Sequence, residues 1–318
     1  MKQEKVMLSS AIEWHEELEG KSVVDASIGP RGEICLLTIP ENSGELDWPF
    51  IDEAGLKRID CEVMIWKNGE KSRILVRRQK WAYHFVQLLG DDQILLVCAR
   101  SRNYGNGKVD ENARIFDYSG NLIGSFCMGD GIEHLAALED GTIWAGYFDE
   151  GIFGNLGWDE NPIGQSGLIR WDVNGQQLEK HTQSRKHFIM DCYAMNAVGR
   201  DEIWFYFYSD FHLARRKNGE TEYFIPEIEG AHIFAVHENF LVFDGGYGGH
   251  DRFYLFQQNG SRFRCRKELV FVNETGKKLK PSVRYARGSR LLMQDGKESY
   301  VFDLKIYVEG QLREKVMD

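Results

Sequence analysis

Five times along the chain an Asn-Gly or Ser-Gly pair divides two runs of β-forming residues. The pairs are Asn68-Gly69, Ser119-Gly120, Asn174-Gly175, Asn218-Gly219 and Asn259-Gly260, set between segments such as LIRWDV before and QQLEKH after. Residues that tolerate positive φ make the two-residue turns whose twist matches paired strands, so each pair predicts a β-hairpin. The pairs recur every 41 to 55 residues, and a hairpin at that period is a structural repeat. A second marker precedes each hairpin: an apolar run, a short polar turn, and a restart on an aliphatic or aromatic residue. SIGPRGEICLL, VQLLGDDQILLV, LAALEDGTIWAG, NAVGRDEIWFYF, FAVHENFLVF and RYARGSRLLM are its six copies.

Together the two markers predict an all-β fold, a six-bladed β-propeller of four-stranded antiparallel blades with strands A to D in chain order. The blades fall at 22–78, 82–128, 132–182, 190–226, 230–272 and from 281 onward, with almost no helix. No Pro-rich, Ser/Gly-rich or low-complexity stretch interrupts them, so 1–318 reads as a single domain. The B strands are apolar on both faces, as in the IWFYFY run from Ile203 to Tyr208, which suits a strand covered on both sides. For the last blade two closures remain open. Its outer strand comes either from the N-terminal KVMLSSAIEW, the option we favour, or from a sixth hairpin at Glu309-Gly310.

The net charge is −10, which argues against general nucleic-acid affinity. From Arg262 to Arg290, however, ten Lys/Arg face only Glu268 and Glu274. Arg262, Arg264 and Arg266 alternate and so share one strand face. Charge guarding an exposed sheet edge explains them better than an anion-binding stripe, because interleaved aromatics are few. No apolar run is long enough for a signal peptide or a membrane span. The six cysteines are scattered without a CxxC, most of them in strand-like runs, as expected of buried thiols in the cytoplasm.

The connections are unequal. A–B and C–D turns are short, whereas B–C connections are long at Pro40–Cys61, Arg100–Asn112 and Tyr147–Gly167. In a propeller, B–C and D–A connections share one face, and long loops on a rigid scaffold carry binding more often than architecture. Asp149, Trp158 and Tyr104 in these loops, Tyr247 and His250 in DGGYGGHD, and Asp25 at the start of a strand A are the candidate ligand-binding residues. Flat rings with polar tips and backbone-exposing glycines suit recognition of a small polar ligand or a protein partner. Caps that pack aromatics over the blade ends are the competing explanation for any one ring. Gly245-Gly246-Tyr247-Gly248-Gly249 leads into a strand and lacks a Lys-Ser/Thr pair, so it is no phosphate loop. GxSxG and HExxH do not occur.

Counting back nine or ten residues from each strand-B restart aligns Asp25, His84, His134, Tyr193, His232 and Ser282. Equivalent blade positions converge on the central channel, so His84, His134 and His232 are candidate ligands for one divalent metal ion, with Asp25 as a carboxylate partner. Water-bonded polar residues at a channel mouth would show the same pattern.

The segment EHLAALEDGTIWAGYFDEGIFG resembles the repeats of bacterial propellers with an xDGxIW core, among them streptogramin lyases and gluconolactonase-like proteins. The resemblance covers one blade well and the others as strand pattern. It implies the fold: Asp140-Gly141 as the turn, Ile143 and Trp144 in the core. The lyases' His and Glu pairs lack a matching acid pair here. For the Glu and Asn/Asp ion ligands of the lactonases, only Asn196 and Asp25 offer themselves. The whole chain looks more like uncharacterised bacterial cytosolic propellers. Two functions follow as expectations. One is a non-enzymatic scaffold binding a small polar ligand or protein partner on the B–C face. The other is a metal-dependent hydrolase or lyase at the channel mouth.

Overall fold

The turn chemistry is realised strand by strand. A computed structural model describes residues 3–43 and 58–317; most of the connection Pro40–Cys61 lies outside them. Asn68-Gly69 and Asn218-Gly219 both take positive φ and close two-residue hairpins, Lys67 pairing with Glu70 and Lys217 with Glu220. Ser119-Gly120 and Asn174-Gly175 do otherwise. There Asp117 and Asp172 head longer bulged turns, each carboxylate accepting from the backbone N–H groups two and four residues on. An Asp able to fold back on its own backbone selects this turn over the two-residue one. Another hairpin, around Gly296 at φ 60, joins Arg290–Asp295 to Glu298–Asp303.

Strand makes up 55% of the chain and helix 8%, so the fold is all-β. It divides into two compact units, residues 15–192 and residues 1–14 with 193–318.

The unit 15–192 holds three four-stranded antiparallel sheets in chain order. They comprise Lys21–Ile28, Ile34–Pro40, Ile59–Lys67 and Glu70–Gln79; then Phe85–Leu89, Gln93–Val97, Ala113–Asp117 and Leu122–Phe126; then Ile132–Ala137, Ile143–Tyr147, Leu168–Trp171 and Gln177–Lys180. Successive first strands are stitched by polar side chains, a half-buried Asp25 and a buried Gln87. Asp25 Oδ2 accepts the Val86 N–H at 2.8 Å, and Gln87 Oε1 accepts the Ala137 N–H at 3.0 Å. Between the first two sheets, Val63, Val76, Val86, Leu96 and Cys98 make a core that excludes water.

The same antiparallel runs recur beyond these sheets, in the other unit but for Asp191 and Cys192 at the start of the first strand. They are Asp191–Gly199, Glu202–Tyr208, His212–Lys217 and Glu220–Pro226, followed by Phe234–His237, Phe240–Asp244, Phe253–Asn259 and Arg262–Val272. The last run takes Val283–Arg287, Arg290–Asp295 and Glu298–Asp303 and is completed by Ser10–Glu13, Ile12 opposite Ser299. The N-terminal segment thus supplies the outer strand. Glu309-Gly310 is no hairpin but lies within the helix Leu304–Met317. Asp303 caps that helix by accepting the Lys305 N–H, and its apolar side buries Leu304 and Val308 in the core. This helix departs from the expectation of almost none. Asn196, fully buried, donates to the Phe234 and Gly288 carbonyls and accepts the Gly288 N–H, so its amide serves the backbone.

In Arg262–Val272 the arginines at 262, 264 and 266 are exposed and Phe263 is buried, as the alternation requires. The edge is also covered: Gln3–Met7 runs parallel alongside Glu268–Val272. Cys35, Cys61, Cys98 and Cys192 are buried. Among the described residues, no helix is long and apolar enough to cross a membrane.

Candidate functional site

In the unit 1–14 with 193–318, three connections meet in a groove of about 470 Å³. They are 209–211, between the second and third strands of one run; 227–229, following its fourth strand; and 245–248, between the second and third strands of the next. Phe211, Ile225, Ile228 and Tyr247 give the groove apolar walls, and Asp210, Glu227 and Glu229 bring carboxylates to it. Tyr247 is 65% exposed, yet its hydroxyl is 2.8 Å from that of Tyr193 and its ring stands edge-on to Phe211, centroids 5.7 Å apart. The glycines explain how the ring gets there. A Cβ on Gly230 would strike the Tyr247 ring, and one on Gly246, at φ 54, would strike the Glu229 carbonyl. The Gly-rich run is therefore built for close backbone approach, not for phosphate.

Phe211 has φ 52, a region that bulky residues rarely enter. Packing against Tyr193, Tyr206 and Tyr208, with ring centroids 5.3 to 5.6 Å away, holds it. Behind the groove the carboxylate of Asp244, fully buried, accepts the His232 N–H at 3.0 Å, faces His250 Nδ1 at 2.9 Å and lies 3.3 Å from an Arg284 guanidinium nitrogen. The His232 and His250 rings meet edge to face at 4.6 Å. Of the residues expected to bind ligand, Tyr247 lines this groove, and His250 braces the loop that carries it.

The remaining candidates lie in the unit 15–192. Trp158 is 7% exposed and donates its indole N–H to the Ser101 carbonyl at 2.8 Å, which ties two long connections together. The indole therefore acts as a fastener between the two connections. Tyr104 sits exposed in a small hairpin, with Lys108 4.7 Å above its ring. Asp149 begins a five-residue helix and accepts the Glu150 N–H. With Glu133 it faces Asp191, whose carboxyl is pushed up to about 7 by burial first and by these two charges second. A second groove of about 360 Å³ lies beside them, lined by Ile152, Phe153, Gln165, Ser166, Gln183 and Phe188.

His84 is held neutral: burial, then the Arg100 charge, push it down to about 4, and its Nδ1 accepts the Ala99 N–H. His134 stands opposite Gly146 in its sheet. Among the described residues, no group of three or more His, Cys, Asp or Glu is placed to hold a metal ion, and His84, His134 and His232 form no such group.

Asp25 gives a pH prediction. Burial raises its carboxyl to about 7 from 3.8, against the opposing hydrogen bonds from Val86 and Ala26. A carboxyl that holds its proton more tightly when folded costs stability wherever the unfolded chain has already released it, so this group favours the fold increasingly as pH falls from about 7 to 4. His84 acts oppositely, because its unfolded imidazole takes up a proton near 6.5 that the folded one refuses until about 4. Asp25→Asn removes only the first effect and keeps an acceptor for Val86. In urea titrations the variant should exceed the parent in stability by about 1–3 kcal/mol at about pH 8, with the difference gone near pH 4. A constant difference across that range would contradict the assignment.

No family model matches the chain, and no curated protein matches it. Among solved structures it is similar to regucalcin, a calcium-binding protein from Agrobacterium tumefaciens, at 11% identity over 95% of both chains, TM-score 0.44. The β-propeller domain of Cps50 (Swd1) from Myceliophteria thermophila is similar at 10% identity, over 89% of this chain and 83% of that one, TM-score 0.45. YCF48 bound to a D1 peptide is similar at 12%, over 89% and 79%, TM-score 0.46.

Proposed function

We propose that the chain is a single six-bladed β-propeller of four-stranded blades and serves as a non-catalytic scaffold that binds a protein partner. The partner seats where the B–C and D–A connections gather. The groove around Tyr247 carries this reading: an exposed, pinned aromatic beside an exposed Ile225, on a rigid sheet end, is costly to maintain without a contact to make. Repeated four-strand meanders and the sequence period support the blade count. The buried thiols support a reducing, cytoplasmic setting.

Phage display of random dodecapeptides, panned on the wild-type protein and counter-selected on Tyr247→Ala combined with Ile225→Ser, tests the binding reading. Both side chains are exposed, and an unchanged far-UV spectrum of the variant checks that its fold is kept. Peptides enriched on the wild type and lost on the variant support the reading; enrichment indifferent to the two substitutions contradicts it.

A further inference from the structure

We infer that the Tyr247 groove recognises a lysine or arginine side chain of the partner, the aliphatic stem on its apolar shelf and the cation against its rings and carboxylates. This rests on the partner-binding reading above and specifies the chemistry of the residue that is bound.

Three observations converge on a cation. Asp210, Glu227 and Glu229 all reach the groove and all are exposed. Glu227 has Arg264 no nearer than 3.9 Å, with both side chains about half exposed, a pairing too loose to neutralise the groove. An anionic ligand would meet repulsion from three carboxylates, and a neutral apolar one would strip their water without compensation. Second, Tyr247, 65% exposed, stands at 84° to the buried Phe211, and Tyr208, 40% exposed, packs on the same Phe211, so the two tyrosines carry the open ring surface. A corner of aromatic rings offers negative π-faces, which attract ammonium and guanidinium groups. Third, Ile225, Pro226 and Ile228 line the same groove, giving a methylene stem a surface to cover.

The corner is also set before any partner arrives. The Tyr193 hydroxyl fixes Tyr247, the close approaches at Gly230 and Gly246 fix the loop beneath it, and ring packing holds Phe211 in its unusual backbone conformation. Little ordering entropy is then left to oppose binding.

The probe is the tightest Tyr247-dependent peptide from the display selection, made with a fluorescein label and titrated by polarisation. It should contain a Lys or Arg whose replacement by norleucine weakens binding about tenfold or more, as loss of a partly desolvated cation–π and ionic contact implies. Against the exposed triple variant Asp210→Asn, Glu227→Gln, Glu229→Gln, the two peptides should differ by about twofold or less. A selected peptide without a basic residue, or a norleucine copy that binds as well as its parent, overturns the cation inference and leaves the binding surface standing. A selection that yields no Tyr247-dependent peptide overturns both.

Discussion

Trp14→Ala should lower the unfolding free energy by about 3–5 kcal/mol, the range for deleting a large buried ring. The side chain is fully buried, and it does two jobs at the end of the strand Ser10–Glu13. Its backbone N–H bonds the Lys297 carbonyl at 2.8 Å, which prolongs the pairing with Glu298–Asp303 by one residue. Its indole N–H bonds Ser299 Oγ at 2.8 Å, and that hydroxyl bonds Gln294 Oε1, both partners fully buried. Truncation opens a cavity and leaves a buried hydroxyl one donor short. Trp14→Phe keeps most of the apolar volume and loses only the donor, so it should cost about 1–2 kcal/mol. Urea midpoints read both, and a loss below about 1 kcal/mol for Trp14→Ala would mean that the N-terminal strand contributes little to its sheet.

Asp130→Ala should cost a comparable amount, about 3–5 kcal/mol, for an electrostatic reason. Asp130 is 2% exposed and takes a two-pronged ion pair from Arg100, at 2.8 and 2.9 Å, together with the Ser101 N–H. Removing the acid strands a guanidinium whose other acidic neighbour, Glu150, is itself half in solvent. The double variant Arg100→Met, Asp130→Leu leaves no orphaned charge and should recover much of the loss. If the double variant is worse than Asp130→Ala by an additive amount, the pair is not acting as a coupled unit. Arg100 begins one long connection and Glu150 sits in the next, so the single variant should also raise hydrogen exchange across 100–112 and 147–167.

The strand plan was legible because its signals are local. An Asn-Gly pair between β-formers dictates its hairpin, and the apolar restart after each polar turn dictates the second strand. The Asp-headed turns at Asp117 and Asp172 were read as tighter than they are, because the side-chain acceptor that reshapes them lies two residues before the Gly-containing pair. The site was less legible. Long connections drew attention to Trp158 and Tyr104, yet length alone does not foretell that Trp158 is buried with its indole on the Ser101 carbonyl while Tyr104 stands exposed. The groove instead uses the three-residue connection at Ser209, Asp210 and Phe211 and the segment IPEIEG at 225–230. Its acids and aliphatics alternate directly after a fourth strand, a signal present in the sequence but silent until the strand order brings 225–230 beside 245–248. Asp244 went unnoticed for the same reason, since its value depends on His250 and Arg284 folding back to it.

Hydrogen–deuterium exchange of the whole protein, with and without the display-selected peptide, tests the central claim most directly. Slowed exchange confined to 208–211, 225–229 and 245–250 is the predicted result. Protection that falls on the outer strands 122–126 or 177–180, with those three segments unchanged, would contradict it.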